Sequence, residues 1–146
     1  MGPFEMLSKD TECCAALGRM TLAAARLESD LRVFLNLNGV QVGASATFGG
    51  LVKKLGDNGL LSDNGLGILR GLKRQRNYLT HSLYDLFAAR IGEDLMTREE
   101  LEDVSLLTER AWVLEGNLNG FSQIAEERIA ELQSGDRAVG ELLFRP

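Results

Sequence analysis

The stretch KDTECCAALGRMTLAAARLESDLRVFLNL, Lys9 to Leu37, decides the fold class. Apolar or small residues recur at Cys13, Leu17, Met20, Ala24, Leu27, Leu31 and Phe34, at alternating intervals of four and three. That spacing draws one stripe along an α-helix and has no period-two component. Asn38-Gly39 supplies the stop. A helix this long with a single apolar stripe needs a partner of similar length to cover it. The second such stretch runs through Leu101, Val104, Leu107, Ala111, Leu114, Leu118, Phe121 and Ala125 and ends near Ser134-Gly135. Thr97-Arg98-Glu99-Glu100 has the form of a capping box and opens it. Trp112 falls on this helix and reads as core.

Shorter helices fill the interval. Thr47 reads as the N-cap of a helix carrying Phe48, Leu51, Val52 and Leu55. Another starts near Ser62 or Asp63 and runs through Ile68, Leu69 and Leu72, with helical spacing resuming at Leu79, Leu83 and Leu86. The tetrapeptide Asp-Asn-Gly-Leu occurs at 57–60 and again at 63–66, and reads as turn chemistry, since its ligand spacing is wrong for a calcium loop. No segment alternates long enough to be a strand. The expectation is an all-α bundle of two long antiparallel helices with shorter helices between them, one domain over residues 1–146. Residues 1–8 form an N-terminal extension, and residues 135–146 a tail or packing arm.

Composition narrows the function classes. The chain has 146 residues, is 45% hydrophobic and 25% charged, and carries a net charge of -5 from 16 basic and 21 acidic residues. A nucleic-acid binder with this balance must act through a local basic patch. No apolar run reaches the roughly 18 residues of a membrane span, and the N-terminus lacks the order of a signal peptide. Cys13 and Cys14 are adjacent, cannot form a disulfide framework, and read as small core residues of a cytoplasmic protein. One histidine and two adjacent cysteines cannot build a zinc site, and no phosphate-binding glycine loop is present. No metal or cofactor is expected.

The segment Arg70 to Arg90 reverses the overall charge, with Arg70, Lys73, Arg74, Arg76 and Arg90 against Asp85. It also holds the lone histidine, His81, with Asn77, Tyr78 and Tyr84 beside it. On an unbroken helix Arg70, Arg74, Asn77 and His81 form a polar stripe opposite Leu69, Leu72, Leu79 and Leu83. Arg76 then falls in the apolar stripe, about 140° from His81. A guanidinium there is costly unless paired or lining a cavity. Either the helix breaks near Arg76, or the bundle opens there, or a second subunit covers it. Glu28 is a candidate partner.

Arg76-Asn77-Tyr78-Leu79-Thr80-His81 resembles the signature of the HEPN superfamily, an arginine followed by a polar residue and, after four to six positions, a histidine. The long helix with Leu27-Glu28, the Thr47-Phe48-Gly49 helix start and the long final helix resemble the layout of that superfamily over roughly residues 8 to 133. HEPN domains are small helical bundles, many of them metal-independent endoribonucleases of toxin–antitoxin and defence systems, others catalytically silent binding modules. The resemblance implies catalytic Arg76, His81 and Asn77, with RNA held by Arg70, Lys73, Arg74, Tyr78 and Tyr84. It also implies a homodimer with a composite active site, and an antitoxin or defence-system partner protein. The alternative is a silent HEPN-like module that binds RNA, a nucleotide or a protein.

Overall fold

In the computed structural model, residues 3–82 and 104–144 are described, without the side chains of Pro3, Phe4, Met6, His81 and Ser82. The described residues form an all-helical bundle: α1 (Pro3–Lys9), α2 (Thr11–Leu37), α3 (Phe48–Asp57), α4 (Asp63–Asn77), a π-helical turn (Tyr78–Ser82) and α5 (Val104–Ser134). The two long helices, α2 and α5, pack on each other along most of their length, and α3 and α4 close the bundle at one side.

The periodic stripe on α2 becomes the core. Cys13, Met20, Ala24, Leu27, Leu31 and Phe34 are buried, as are Leu107, Ala111, Leu114, Leu118 and Ala125 of α5. Burial of these side chains, at about 1.5–3 kcal/mol each for the larger ones, is the main force holding the two helices together. Caps are present where Thr47 and Ser62 lead their helices, and Asp10 adds one at the start of α2. Asp10 accepts from the Cys13 amide at 2.7 Å, Thr47 from Gly50 at 3.1 Å and Ser62 from Gly65 at 3.1 Å, each satisfying an otherwise unpaired first-turn donor. At the end of α2, Gly39 adopts φ 81°, the left-handed conformation that lets the Val40 amide return to the Leu35 carbonyl at 3.0 Å.

Several expectations change. Residues 3–9, read as an extension, are helical, and Leu7 packs against the core. Only Cys13 is a core cysteine; Cys14 is exposed and its thiol donates to the Leu7 carbonyl at 3.1 Å. Trp112 is 42% exposed, because it lies beside the stripe that meets α2. The two Asp-Asn-Gly-Leu copies play different parts. The first ends α3, with Gly59 at φ 69°, whereas the second is the opening of α4, since Ser62 caps it. The C-terminal residues act as a packing arm: Leu143 is fully buried and its amide donates to the Leu60 carbonyl at 2.9 Å, while the Phe144 ring meets Phe121 edge-on at 5.2 Å. A side chain at Gly65 would meet Phe144 and Leu61 at 3.3 and 3.2 Å, so glycine admits the arm. The Thr97–Glu100 capping box, Leu83 and Leu86 lie outside the described residues. No helix among the described residues is long and apolar enough to cross a membrane.

Candidate functional site

The described part of the basic segment, residues 70–82, occupies the last two turns of α4 and the π turn after it. Leu69, Leu72 and Leu79 are buried, so the apolar stripe faces the core as its spacing requires. Arg70 and Arg74 are exposed and Asn77 is half-buried. Their side chains make no hydrogen bond or ion pair among the described residues.

Arg76 resolves its conflict with the apolar stripe by pairing. Its Nη2 donates to Glu28 Oε1 on α2 at 3.0 Å, with the two side chains 20% and 25% exposed. The guanidinium carbon stands 5.8 Å from the centre of the Phe48 ring, at the outer edge of cation–π range. Its Nε is buried without a hydrogen-bond partner among the described residues, an arrangement that costs free energy. Nη1 takes part in no bond among the described residues.

Lys73, one turn before Arg76, approaches the same place. A Cβ added at Gly49 would lie 2.8 Å from Lys73 Nζ, so the lysine stem occupies the space that glycine leaves open. Thus two cations of α4 converge on Phe48 and Gly49, the first residues of α3. A helix start carries partial positive charge of its own. Three positive features meet there, with Glu28 the acid paired among them.

The helix changes register directly after Asn77. Tyr78–Ser82 is a π-helical turn, a form with i→i+5 bonding that is common at functional sites. In α geometry Arg76 and His81 stand about 140° apart around the axis. The slower rotation of the π turn narrows the angle between the two backbone positions. Thr80 Oγ1 donates to the Arg76 carbonyl at 2.8 Å, which fills an acceptor at the transition. The His81 side chain lies outside the described residues, as do Tyr84 and Arg90.

Among the residues assigned to RNA binding, Tyr78 departs from expectation. Its ring is 5% exposed and belongs to the core, so it offers no open stacking platform. On an α-helix it would face away from Leu69, and burial comes with the change of register. Phe48 was not singled out for the site. Its contact with Arg76 comes from the packing of α3 against α4, which no local spacing records.

A second ionic cluster ties α2 to α5 on another face. Arg26 grips Glu126 with two bonds of 2.8 Å and reaches Asn119 at 3.0 Å. Asp30 sits beside it with one carboxylate oxygen buried. Burial first, and then the neighbouring Glu126 carboxyl, push the Asp30 carboxyl up to about 7. The Arg26 guanidinium holds Glu126 down at about 2.

No protein-family model, no curated protein and no solved structure matches this chain. Its function therefore rests on its own residues.

Proposed function

We propose that this chain is a metal-independent endoribonuclease of the HEPN type. The observation that carries the reading is the convergence of Lys73 and Arg76 on the first turn of α3, with Arg76 braced from behind by Glu28. A braced guanidinium with a free edge is suited to a phosphate, since its forked donors match two oxygens and lose little freedom on binding. His81, five residues on across the π turn, takes the proton of the ribose 2′-hydroxyl, because its ordinary pKa lies near working pH. The 2′-oxygen then attacks phosphorus while Arg76 and Lys73 balance the charge that gathers on the non-bridging oxygens. The bond to the 5′-oxygen breaks, leaving a 2′,3′-cyclic phosphate and a 5′-hydroxyl. Asn77 orients His81 or contacts the phosphate, and Arg70 and Arg74 hold the flanking backbone.

The departing 5′-oxygen needs a proton from a second donor, and one chain has one histidine. A homodimer with two facing segments supplies it, in keeping with the commonest assembly symmetry. A toxin or defence effector controlled by an antitoxin or other partner protein is the corresponding biological role, in the cytoplasm.

The second reading is a catalytically silent helical module that binds RNA, a nucleotide or a protein. The Arg76–Glu28 pair favours it, because that guanidinium is already engaged in the fold. One experiment separates the two. Wild type, Arg76→Ala and His81→Ala are incubated with total RNA in excess EDTA and the product ends are mapped. Cleavage by the wild type alone, with cyclic-phosphate ends, is the expected result. Cleavage that persists in both variants sinks the site, and RNA retention without cleavage by any of them supports the silent module.

A further inference from the structure

A cleft of about 130 Å³ opens between the end of α4, the π turn and α5. Three exposed polar side chains rim it: Gln75 of α4, and Arg110 and Asn117 of α5. Arg110 and Asn117 are seven residues apart and so share one face of their helix. None of the three makes a hydrogen bond or ion pair among the described residues. The floor is apolar: Leu79 is 6% and Leu114 2% exposed, and the largely buried Tyr78 is part of the lining. Val113, 56% exposed, forms an open wall.

We infer that this cleft seats a single nucleobase, guanine before the others. The inference deepens the ribonuclease reading and rests on it for the choice of RNA as the source of the base. Size argues first. The cleft holds more than the roughly 30 Å³ share of one water molecule, yet falls short of the roughly 300–1,000 Å³ that encloses a whole drug-sized ligand. One flat ring system suits it. Chemistry argues next. The amides of Gln75 and Asn117 each donate and accept, which is the mixed pattern a base edge presents. The forked donors of Arg110 match adjacent acceptors such as O6 and N7 of guanine. Apolar side chains beneath receive the face of the ring. An anion-binding site would need no such pair of amides over an apolar floor.

Position completes the argument. Gln75 and Arg76 are consecutive residues, one at the cleft and the other at the start of α3. A strand crossing the end of α4 can place a phosphate on one flank and an unstacked base on the other, the manner in which single-stranded RNA is commonly read.

The test is a titration of the 15N-labelled 146-residue chain with GMP, AMP, CMP and UMP, and with ribose 5-phosphate as the anion control. The side-chain amide signals of Gln75 and Asn117 are expected to shift saturably with GMP and to stay still with ribose 5-phosphate. Arg110→Ala and Asn117→Ala, both at exposed positions, should each weaken GMP binding about tenfold or more. Asn117→Asp should reorder the preference among the four bases, which a structural residue would not do. Shifts of equal size with ribose 5-phosphate would overturn the base seat in favour of an anion site. Amides unmoved by every nucleotide, in a protein that still cuts RNA, would overturn the seat and leave the nuclease standing. GMP shifts in a protein that cuts no RNA would support the seat and count against the nuclease.

Discussion

Replacing both members of the Arg76–Glu28 pair with leucine should leave the bundle as stable as the wild type while abolishing any phosphate chemistry at Arg76. Each side chain is only 20–25% exposed, and the pair is joined by one bond of 3.0 Å instead of a two-bond fork. Exposed pairs contribute about 0.2–1 kcal/mol. Breaking a fully buried pair by removing one partner costs about 3–5 kcal/mol. Glu28→Ala lies between these limits, at about 2 kcal/mol, because it strands a guanidinium whose Nε already lacks a partner. Arg76→Ala should cost about the same, since it gives up packing on Phe48 as well as the ion pair. The double variant removes both charges and lets the aliphatic stems join Phe48 and the α2 face. Apolar replacement of such pairs is often neutral or stabilising by about 1–4 kcal/mol. Urea unfolding of the wild type, Glu28→Leu, Arg76→Leu and the double leucine variant, followed by circular dichroism, gives a double-mutant cycle. A double variant less stable than the wild type by more than about 2 kcal/mol would refute the reasoning. The pair would then be a requirement of the fold, and its bearing on function would lapse.

Two other outcomes follow from the same structure. In the folded chain Asp30 holds its proton up to about 7, so its contribution is fully present below the ordinary aspartate range and is lost as pH rises through 7. Glu126, held at about 2, works the opposite way: its contribution is present above the ordinary glutamate range and is lost as pH falls toward 2. Between about pH 4 and 7 stability should therefore fall as pH rises, and Asp30→Asn should remove that slope. After allowance for solvent screening, the variant should be about 1–2 kcal/mol more stable than the wild type at pH 8. Parallel urea midpoints for the two proteins from pH 5 to 8 would contradict this. Gly49→Ala should displace only the flexible end of Lys73 and raise stability by up to about 1 kcal/mol through helix propensity. Its RNA affinity should drop and depend less on salt; unchanged affinity and salt slope, measured by fluorescence anisotropy, would take Lys73 out of the phosphate site.

Much of the bundle was legible before any tertiary contact was known. The stripes from Cys13 to Phe34 and from Leu107 to Ala125 face the core, with Leu17 and Phe121 half-buried at their edges, and Thr47 and Ser62 cap the helices they precede. Helical period and capping are local properties, settled within a few residues. The edges of a stripe are not local. Cys14 and Trp112 sit where small differences in packing between α1, α2 and α5 decide exposure. The repeated Asp-Asn-Gly-Leu ends one helix and begins another because only the second copy follows a capping serine.

The same division runs through the candidate site. Sequence by itself determined that Arg76 could not lie quietly on its stripe, that His81 was the lone histidine, and that the bases around them were concentrated. These follow from residue identity and a fixed rotation per residue. Tertiary structure decided that Glu28, 48 residues away, answers the charge of Arg76 and that Lys73 leans on Gly49. It also decided that Tyr78 turns inward and that Gln75 faces Arg110 and Asn117 across a cleft. Those facts depend on how far α4 slides and rotates against α2, α3 and α5. That is set by the sum of many weak apolar contacts distributed over the whole chain, and no single motif encodes it.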